Sequence, residues 1–173
     1  MEVTLSLDPG SSKIGWSLIS STEAILDCGL LSPISDTPKS MQFNLKMNLL
    51  IRRLIPEFEG LLQRATRVAW EIVPSFGEMS QRELVQATAS TLKVLTFQNQ
   101  YQYQQFTPQA WHKLFVGKGK CTKNEVKSLI IENKQLLLNE QPVPEDLAFD
   151  TYDAIAIGLT ATRKDEWIKS ERV

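Results

Sequence analysis

Four carboxylates lie where a predicted strand ends or a predicted helix begins. Asp8 ends an alternating apolar stretch, against an Asp-Pro-Gly turn. Glu71 interrupts the apolar run 67–73, where an ionised carboxylate is costly unless it is paired or binds a metal. Asp150 and Asp153 begin an apolar helix, and their spacing places both on one helix face. Singly, each acid could serve a turn, a solvent-facing strand position or a helix cap. Together they predict one acidic cluster at a sheet edge.

The donor set of this cluster favours hard divalent cations. Oxygen ligands without histidine or cysteine favour Mg²⁺ or Mn²⁺ over Zn²⁺. Two such ions, roughly 3.5–4 Å apart, can activate a water and stabilise the leaving oxygen of a phosphodiester. His112 is the single histidine, and no motif around it supports a zinc site or a Ser-His-Asp triad. We therefore expect two Mg²⁺ per site, which Mn²⁺ can replace, held by Asp8, Glu71, Asp150 and Asp153.

Composition predicts one folded domain over residues 1–173. Hydrophobic residues make up 42% and charged residues 23% of the chain. No apolar run approaches the roughly 20 residues of a membrane span, and the N-terminus lacks a signal-peptide pattern. These features indicate a cytoplasmic protein, or an organellar or phage-encoded one, without membrane association. Cys28 and Cys121 match no metal or redox spacing and are expected to be free thiols.

Charge is unevenly distributed along the chain. The net charge of -1 and pI of about 5.9 argue against a simple DNA-coating protein. However, residues 107–134 carry six lysines and only two glutamates, which is compatible with a local DNA-binding patch. These lysines are Lys113, Lys118, Lys120, Lys123, Lys127 and Lys134.

The elements that must position these residues alternate between strands and helices. Apolar periodicity predicts strands over 2–8, 13–20, 23–31, 67–73 and 100–106. It predicts helices over 40–65, 80–97, 107–115, 123–138 and 149–164. Ser40, Thr107 and Thr122 are expected helix caps, and Pro56 predicts a kink or a break. The first three strands form an antiparallel meander, and the order indicates one sheet with helices packed on it.

Four segments together resemble a known family. In order and spacing, LSLDPGSSKIGWSLI, VAWEIVP, GKGKCTKNEVKSLI and FDTYDAIAIGLTA are similar to segments of the RuvC family of Holliday-junction resolvases. The resemblance implies an RNase H-like α/β fold, with a central mixed five-stranded sheet in βββαβαβα order flanked by helices. It also implies a homodimer that resolves four-way junctions by paired symmetric nicks and can act with a branch-migration helicase.

The resemblance also implies roles for single residues. Asp8, Glu71, Asp150 and Asp153 match the catalytic acids. Lys123 matches a basic residue expected near the scissile phosphate, and Phe76 is a candidate aromatic wedge unless it belongs to the core. His112 stands where the family has a lysine, with Lys113 beside it, so the second basic role stays open. Trp16 and Trp70 are expected core residues. The full set of expected DNA contacts is Phe76, His112, Lys113, Lys118, Lys120 and Lys127.

Several alternatives remain open. Another RNase H-like nuclease could act on RNA–DNA hybrids or other branched substrates, and a DNA-binding module could keep the fold without activity. A phosphate-loop ATPase of the actin type shares the spacing of Asp8, Gly10 and Gly15, but such proteins need two related domains. The helix 80–97 carries apolar residues over two faces and is the candidate dimer interface, unless both faces are buried within the monomer. Those residues are Leu84, Val85, Leu92, Val94 and Leu95.

Overall fold

One mixed sheet forms the centre of the protein. The structure is a computed structural model that describes residues 1–10, 12–38, 40–72, 79–164 and 167–169. All five predicted strands are present: β1 (Val3–Pro9), β2 (Ile14–Ser20), β3 (Ile25–Leu31), β4 (Arg67–Glu71) and β5 (Gln102–Phe106). Strands β1 to β3 form the expected antiparallel meander, while β4 runs parallel to β1, and β5 parallel to β4. Parallel strands end at the same sheet edge, which brings the ends of β1 and β4 together.

Three short strands extend this sheet. They are β6 (Leu137–Leu138), β7 (Gln141–Pro142) and β8 (Ile168–Lys169). The order among the described residues is β7-β6-β3-β2-β1-β4-β5-β8. Strands of two residues have no periodicity that a sequence pattern could show, so they were not predicted.

Helices cover both faces of the sheet. They are α1 (Phe43–Leu62), α2 (Met79–Gln98), α3 (Pro108–Phe115), α4 (Lys123–Glu132) and α5 (Phe149–Thr162). One core cluster joins α1 and α2 to the sheet, and a second joins α3, α4 and α5 to its other face. Trp70 is buried as expected, and Trp16 is half-buried against the first cluster. None of the described helices has both the length and the apolar character needed to cross a bilayer.

The first helix begins later than predicted and is not broken at its proline. Helix α1 begins at Phe43, and Gln42 rather than Ser40 is its N-cap. The helix continues through Pro56 to Leu62 without a break, because Leu54 and Phe58 on either side of the proline are fully buried. Burial of these side chains can offset the roughly 3 kcal/mol that a proline costs a helix interior.

Helix α4 is shorter than predicted. It ends at Glu132, although the pattern indicated a helix to residue 138. Leu138 instead pairs with Ile25 of β3. This distant pairing overrides the local helical pattern.

Helix α5 approaches the sheet unusually closely, and this approach positions the acids at its start. A Cβ atom on Gly158 would lie 2.5 Å from the Ser6 hydroxyl, so only glycine fits there. The Ser6 hydroxyl donates to the Ala154 carbonyl at 2.8 Å and lies 2.6 Å from the Ser17 hydroxyl. Ser6 and Ser17 are fully buried. The polar side of the alternating β1 pattern thus faces a helix rather than solvent.

Candidate active site

Three of the four predicted acids meet at one edge of the sheet. Asp8 lies near the end of β1, beside Gly15 of β2. Asp150 and Asp153 lie at the start of α5, which packs on both strands. One carboxylate oxygen from each of the three lies within 4.8 Å of the others. Because the strand end and the helix start are both rigid, the three carboxylates are held together before any ligand binds.

Glu71 lies beside this group and has a partner of its own. It ends β4, the parallel neighbour of β1, in which Trp70 is in register with Leu7. Its Oε2 accepts a hydrogen bond from the indole N–H of Trp111 at 2.6 Å. Glu71 is close enough to raise the pKa of Asp8 through its charge. The expected fourth acid therefore borders the cluster, with one oxygen bonded to a tryptophan.

Trp111 is the site residue that sequence reasoning missed. It lies in α3 and is 1% exposed. The only available signal was a tryptophan directly before His112 and Lys113, which is weak because most buried tryptophans serve packing. Its contact with Glu71 joins two residues separated by 40 positions, so no local pattern could indicate it.

Lys123 places an ammonium group among the acids. Its Nζ lies 2.5 Å from Asp150 Oδ1 and 3.3 Å from Asp153 Oδ2. The lysine opens α4, where Thr122 and Glu125 form the predicted capping box. Although partial burial opposes it, the hydrogen bond that Lys123 donates to Asp150 and the charge of Asp153 raise the pKa of Lys123. The lysine is therefore a permanent cation at neutral pH.

The surroundings of the acids disfavour their ionised forms. Burial raises the pKa of Asp8 well above its ordinary value, and the charges of Glu71 and Asp153 raise it further. Burial likewise raises the pKa of Glu71, against the Trp111 hydrogen bond, and that of Asp153. Such a group of carboxylates requires added positive charge to be fully ionised. The donor set, which is entirely carboxylate oxygen, fits a hard divalent cation.

The lysines predicted to contact DNA differ in whether they already have a partner within the chain. Lys113 and Lys120 are exposed. Lys118 forms an ion pair with Glu125, and the Lys127 ammonium lies 5.7 Å from the centre of the Tyr152 ring. These two lysines thus have partners within the chain.

Two further residues, His112 and Phe76, were also predicted to contact DNA. His112 is half-buried with its ring centroid 4.0 Å from that of Trp111, and burial lowers its pKa despite a hydrogen bond to the Gly119 backbone. The imidazole is therefore neutral at pH 7. Phe76 lies outside the described residues. The two cysteines are free thiols, as expected.

Comparison with known proteins identifies relatives of this chain. The sequence profile of the family described as "Crossover junction endodeoxyribonuclease RuvC" matches residues 4–161. The RuvC of Orientia tsutsugamushi (strain Boryong) is 24% identical over 164 residues, covering 92% of this chain and 94% of the relative. The RuvC of Synechococcus sp. (strain RCC307) is 26% identical over 163 residues, covering 91% and 96%.

Solved structures show the same fold. The structure titled "T. thermophilus RuvC in complex with Holliday junction substrate" matches with a TM-score of 0.66, covering 92% of each chain at 20% identity. A second structure, titled "Thermus thermophilus RuvC structure", gives a TM-score of 0.64 at 19% identity, covering 92% and 93% of the two chains. The expected RNase H-like fold is confirmed. Since the profile match extends over most of the sequence, the chain belongs to the RuvC family of crossover junction endodeoxyribonucleases.

Proposed function

We propose that this protein is a metal-dependent endonuclease that resolves four-way DNA junctions by paired symmetric nicks. The observation that carries the proposal is the group of Asp8, Asp150 and Asp153, whose oxygens converge within 4.8 Å beside the Lys123 ammonium. This group lies in a member of a family named for crossover junction cleavage. The match to a RuvC structure with a bound Holliday junction supports the choice of substrate.

The acids would hold two Mg²⁺ ions, or Mn²⁺ in their place, with Glu71 joining the three clustered carboxylates. Bound divalent ions supply Lewis acidity and lower the pKa of a bound water, so that hydroxide is available at neutral pH. Lys123 offers positive charge to the phosphate oxygens as negative charge develops on them. The carboxylates do not contact the DNA backbone directly, because like charges repel.

The basic segment around α3 and α4 would bind the DNA backbone. Lys113 and Lys120 are exposed and form no ion pair with any described residue, so they can contact phosphates without losing one. Lys118 and Lys127 would have to leave Glu125 and the Tyr152 ring. The second basic role stays open between His112, whose imidazole is neutral at pH 7, and the exposed Lys113 beside it. Phe76 is proposed for opening base pairs at the crossover.

Two nicks at matched positions require two sites, and the described residues of one chain hold a single acidic cluster. A two-fold dimer meets a two-fold junction naturally. On α2, Leu84, Leu92 and Leu95 are buried within the monomer, whereas Val85 is half-buried and Val94 is 52% exposed. The second apolar face predicted for this helix is thus partly available for a partner chain. A branch-migration helicase is a further proposed partner.

The oligomeric state is testable by light scattering at micromolar concentration. We expect a dimer, which Val94→Lys should shift toward monomer because it places a charge in the interface. A chain that stays monomeric when bound to junction DNA would contradict the paired-nick mechanism.

The substrate is tested by incubating the pure protein with labelled four-way junction, RNA–DNA hybrid and linear duplex, with and without Mg²⁺. Cleavage of the junction alone, dependent on Mg²⁺ and absent in Asp8→Asn, is the expected result. Preferential cleavage of the hybrid would instead favour another RNase H-like activity. Junction binding without cleavage under any metal would favour an inactive DNA-binding module.

A further inference from the structure

Among the described residues, the indole of Trp111 is the one hydrogen-bond donor bonded to the Glu71 carboxylate. The nitrogen–oxygen distance of 2.6 Å is short for a nitrogen donor. Hydrogen bonds to ionised acceptors are shorter and roughly twice as strong as neutral ones. Trp111 is 1% exposed, so its N–H has no access to bulk water as an alternative. The contact is therefore a strong, specific bond.

The bond restricts the orientation of Glu71. It fixes one of the two carboxylate oxygens, so rotation of the carboxylate would break it. This prepares Glu71 to act as a metal ligand, since hydrogen bonds to a ligand group orient it for the metal.

The support behind Trp111 is rigid. Helix α3 begins at the Thr107 cap, whose side chain accepts from the Ala110 backbone N–H at 3.2 Å. The helix packs on β5, the neighbour of β4, and on α5, which carries Asp150 and Asp153. The indole thus connects Glu71 at the end of β4 to the helical layer that carries Asp150 and Asp153.

We propose that Trp111 is a positioning residue that holds the Glu71 carboxylate in orientation for metal binding beside Asp8, Asp150 and Asp153. The inference rests on the proposed metal-dependent function, and it assigns Trp111 a role beyond packing. A tryptophan needed only for packing would bond equally well to a backbone carbonyl. Bonding to a carboxylate at the site changes the properties of that carboxylate.

The first test uses the indole N–H resonances of the intact protein, which has four tryptophans. Trp111→Phe identifies the Trp111 signal, and Trp167 serves as the control because it lies by Arg67 at the other end of β4. We expect the Trp111 signal far downfield, moving upfield in Glu71→Gln, since a neutral amide accepts a weaker bond. Adding Mg²⁺ should shift it while the Trp167 signal stays in place. An unchanged Trp111 signal in Glu71→Gln would overturn the proposal whether or not the protein cleaves DNA.

The second test separates positioning from folding. Trp111→Phe removes the donor, and replacement by the sulfur isostere benzothienylalanine removes it while keeping the ring size. Loss of a residue that orients a metal ligand typically costs about 10- to 100-fold in metal affinity or activity. We expect the half-saturating Mg²⁺ concentration for cleavage to rise about 10-fold or more, with junction affinity in Ca²⁺ unchanged.

Ile25→Ala is the matched control. Ile25 is 1% exposed in the same core cluster but belongs to the start of β3, away from the acids. It should lose stability without a change in half-saturating Mg²⁺. If both Trp111 variants slow cleavage equally at all Mg²⁺ concentrations, Trp111 is a packing residue. If the wild type cleaves no junction, the proposed function fails, and the resonance test alone decides the role of Trp111.

Discussion

Gly15 is the point at which β2 touches the start of α5, and its replacement by alanine should impair cleavage far more than folding. A Cβ atom there would lie 2.8 Å from the Thr151 backbone nitrogen and closer still to the Asp150 carbonyl. Gly15 is also the strand partner of Asp8. The methyl group would therefore separate Asp8 from the two acids of the helix, which are on the other side of the contact.

The size of the effect follows from this geometry. Close carbon–oxygen contacts lie at about 3.3–3.6 Å, so the Asp150 carbonyl at the start of α5 must withdraw by about 1.5 Å or more. A misplacement of about 1 Å can cost a catalytic site about 100-fold. That loss corresponds to about 2.7 kcal/mol in the activation barrier. Overpacking should lower the unfolding free energy by about 1–3 kcal/mol, or roughly 2–12 °C in Tm for a chain of this length.

The assay is single-turnover cleavage of a labelled four-way junction at saturating Mg²⁺, with junction binding measured in Ca²⁺ and Tm measured separately. Gly60→Ala is the control, because Gly60 is an exposed α1 residue with nothing within 4 Å of an added Cβ. It should gain about 0.5–1 kcal/mol of stability and cleave normally. A Gly15→Ala protein that folds and cleaves at the wild-type rate would refute the reasoning that the close approach of α5 sets the geometry of the acids.

Three further predictions concern the charges of the site. Asp8→Asn should abolish cleavage while junction affinity in Ca²⁺ stays near wild type; retained cleavage would remove Asp8 from the site. Lys123→Ala should reduce the cleavage rate more than junction affinity, whereas equal losses would make the lysine an ordinary backbone contact. Because burial raises the folded-state pKa of Asp8, Glu71 and Asp153, the metal-free protein should lose unfolding free energy as pH rises above about 4, the unfolded carboxyl value. Asp8→Asn should therefore raise the Tm of the metal-free protein at pH 7, and a lower Tm would contradict the direction of that pKa shift.

The sequence by itself determined the features that depend on near neighbours. Local patterns predicted all five principal strands, by alternation as in β1 or by a nearly continuous apolar run as in β4, and the Thr122–Glu125 capping box placed the start of α4 at Lys123. Asp8 at a strand end and Asp150 with Asp153 at a helix start were recognisable because strand ends and helix starts carry local signals. Their spacing along one helix turn needs no knowledge of distant residues.

Tertiary structure decided what depends on contacts between distant residues. Glu71 borders the cluster, and one of its oxygens accepts a hydrogen bond from Trp111, 40 positions away in the sequence. Residues 134–138 leave the helical conformation because Leu138 pairs with Ile25. Lys118, an expected DNA contact, forms an ion pair with Glu125 across the loop before α4, and the sequence did not indicate that pair. In each case the outcome depends on a hydrogen bond or ion pair that forms only once the chain has folded. The local sequence pattern cannot indicate such a contact.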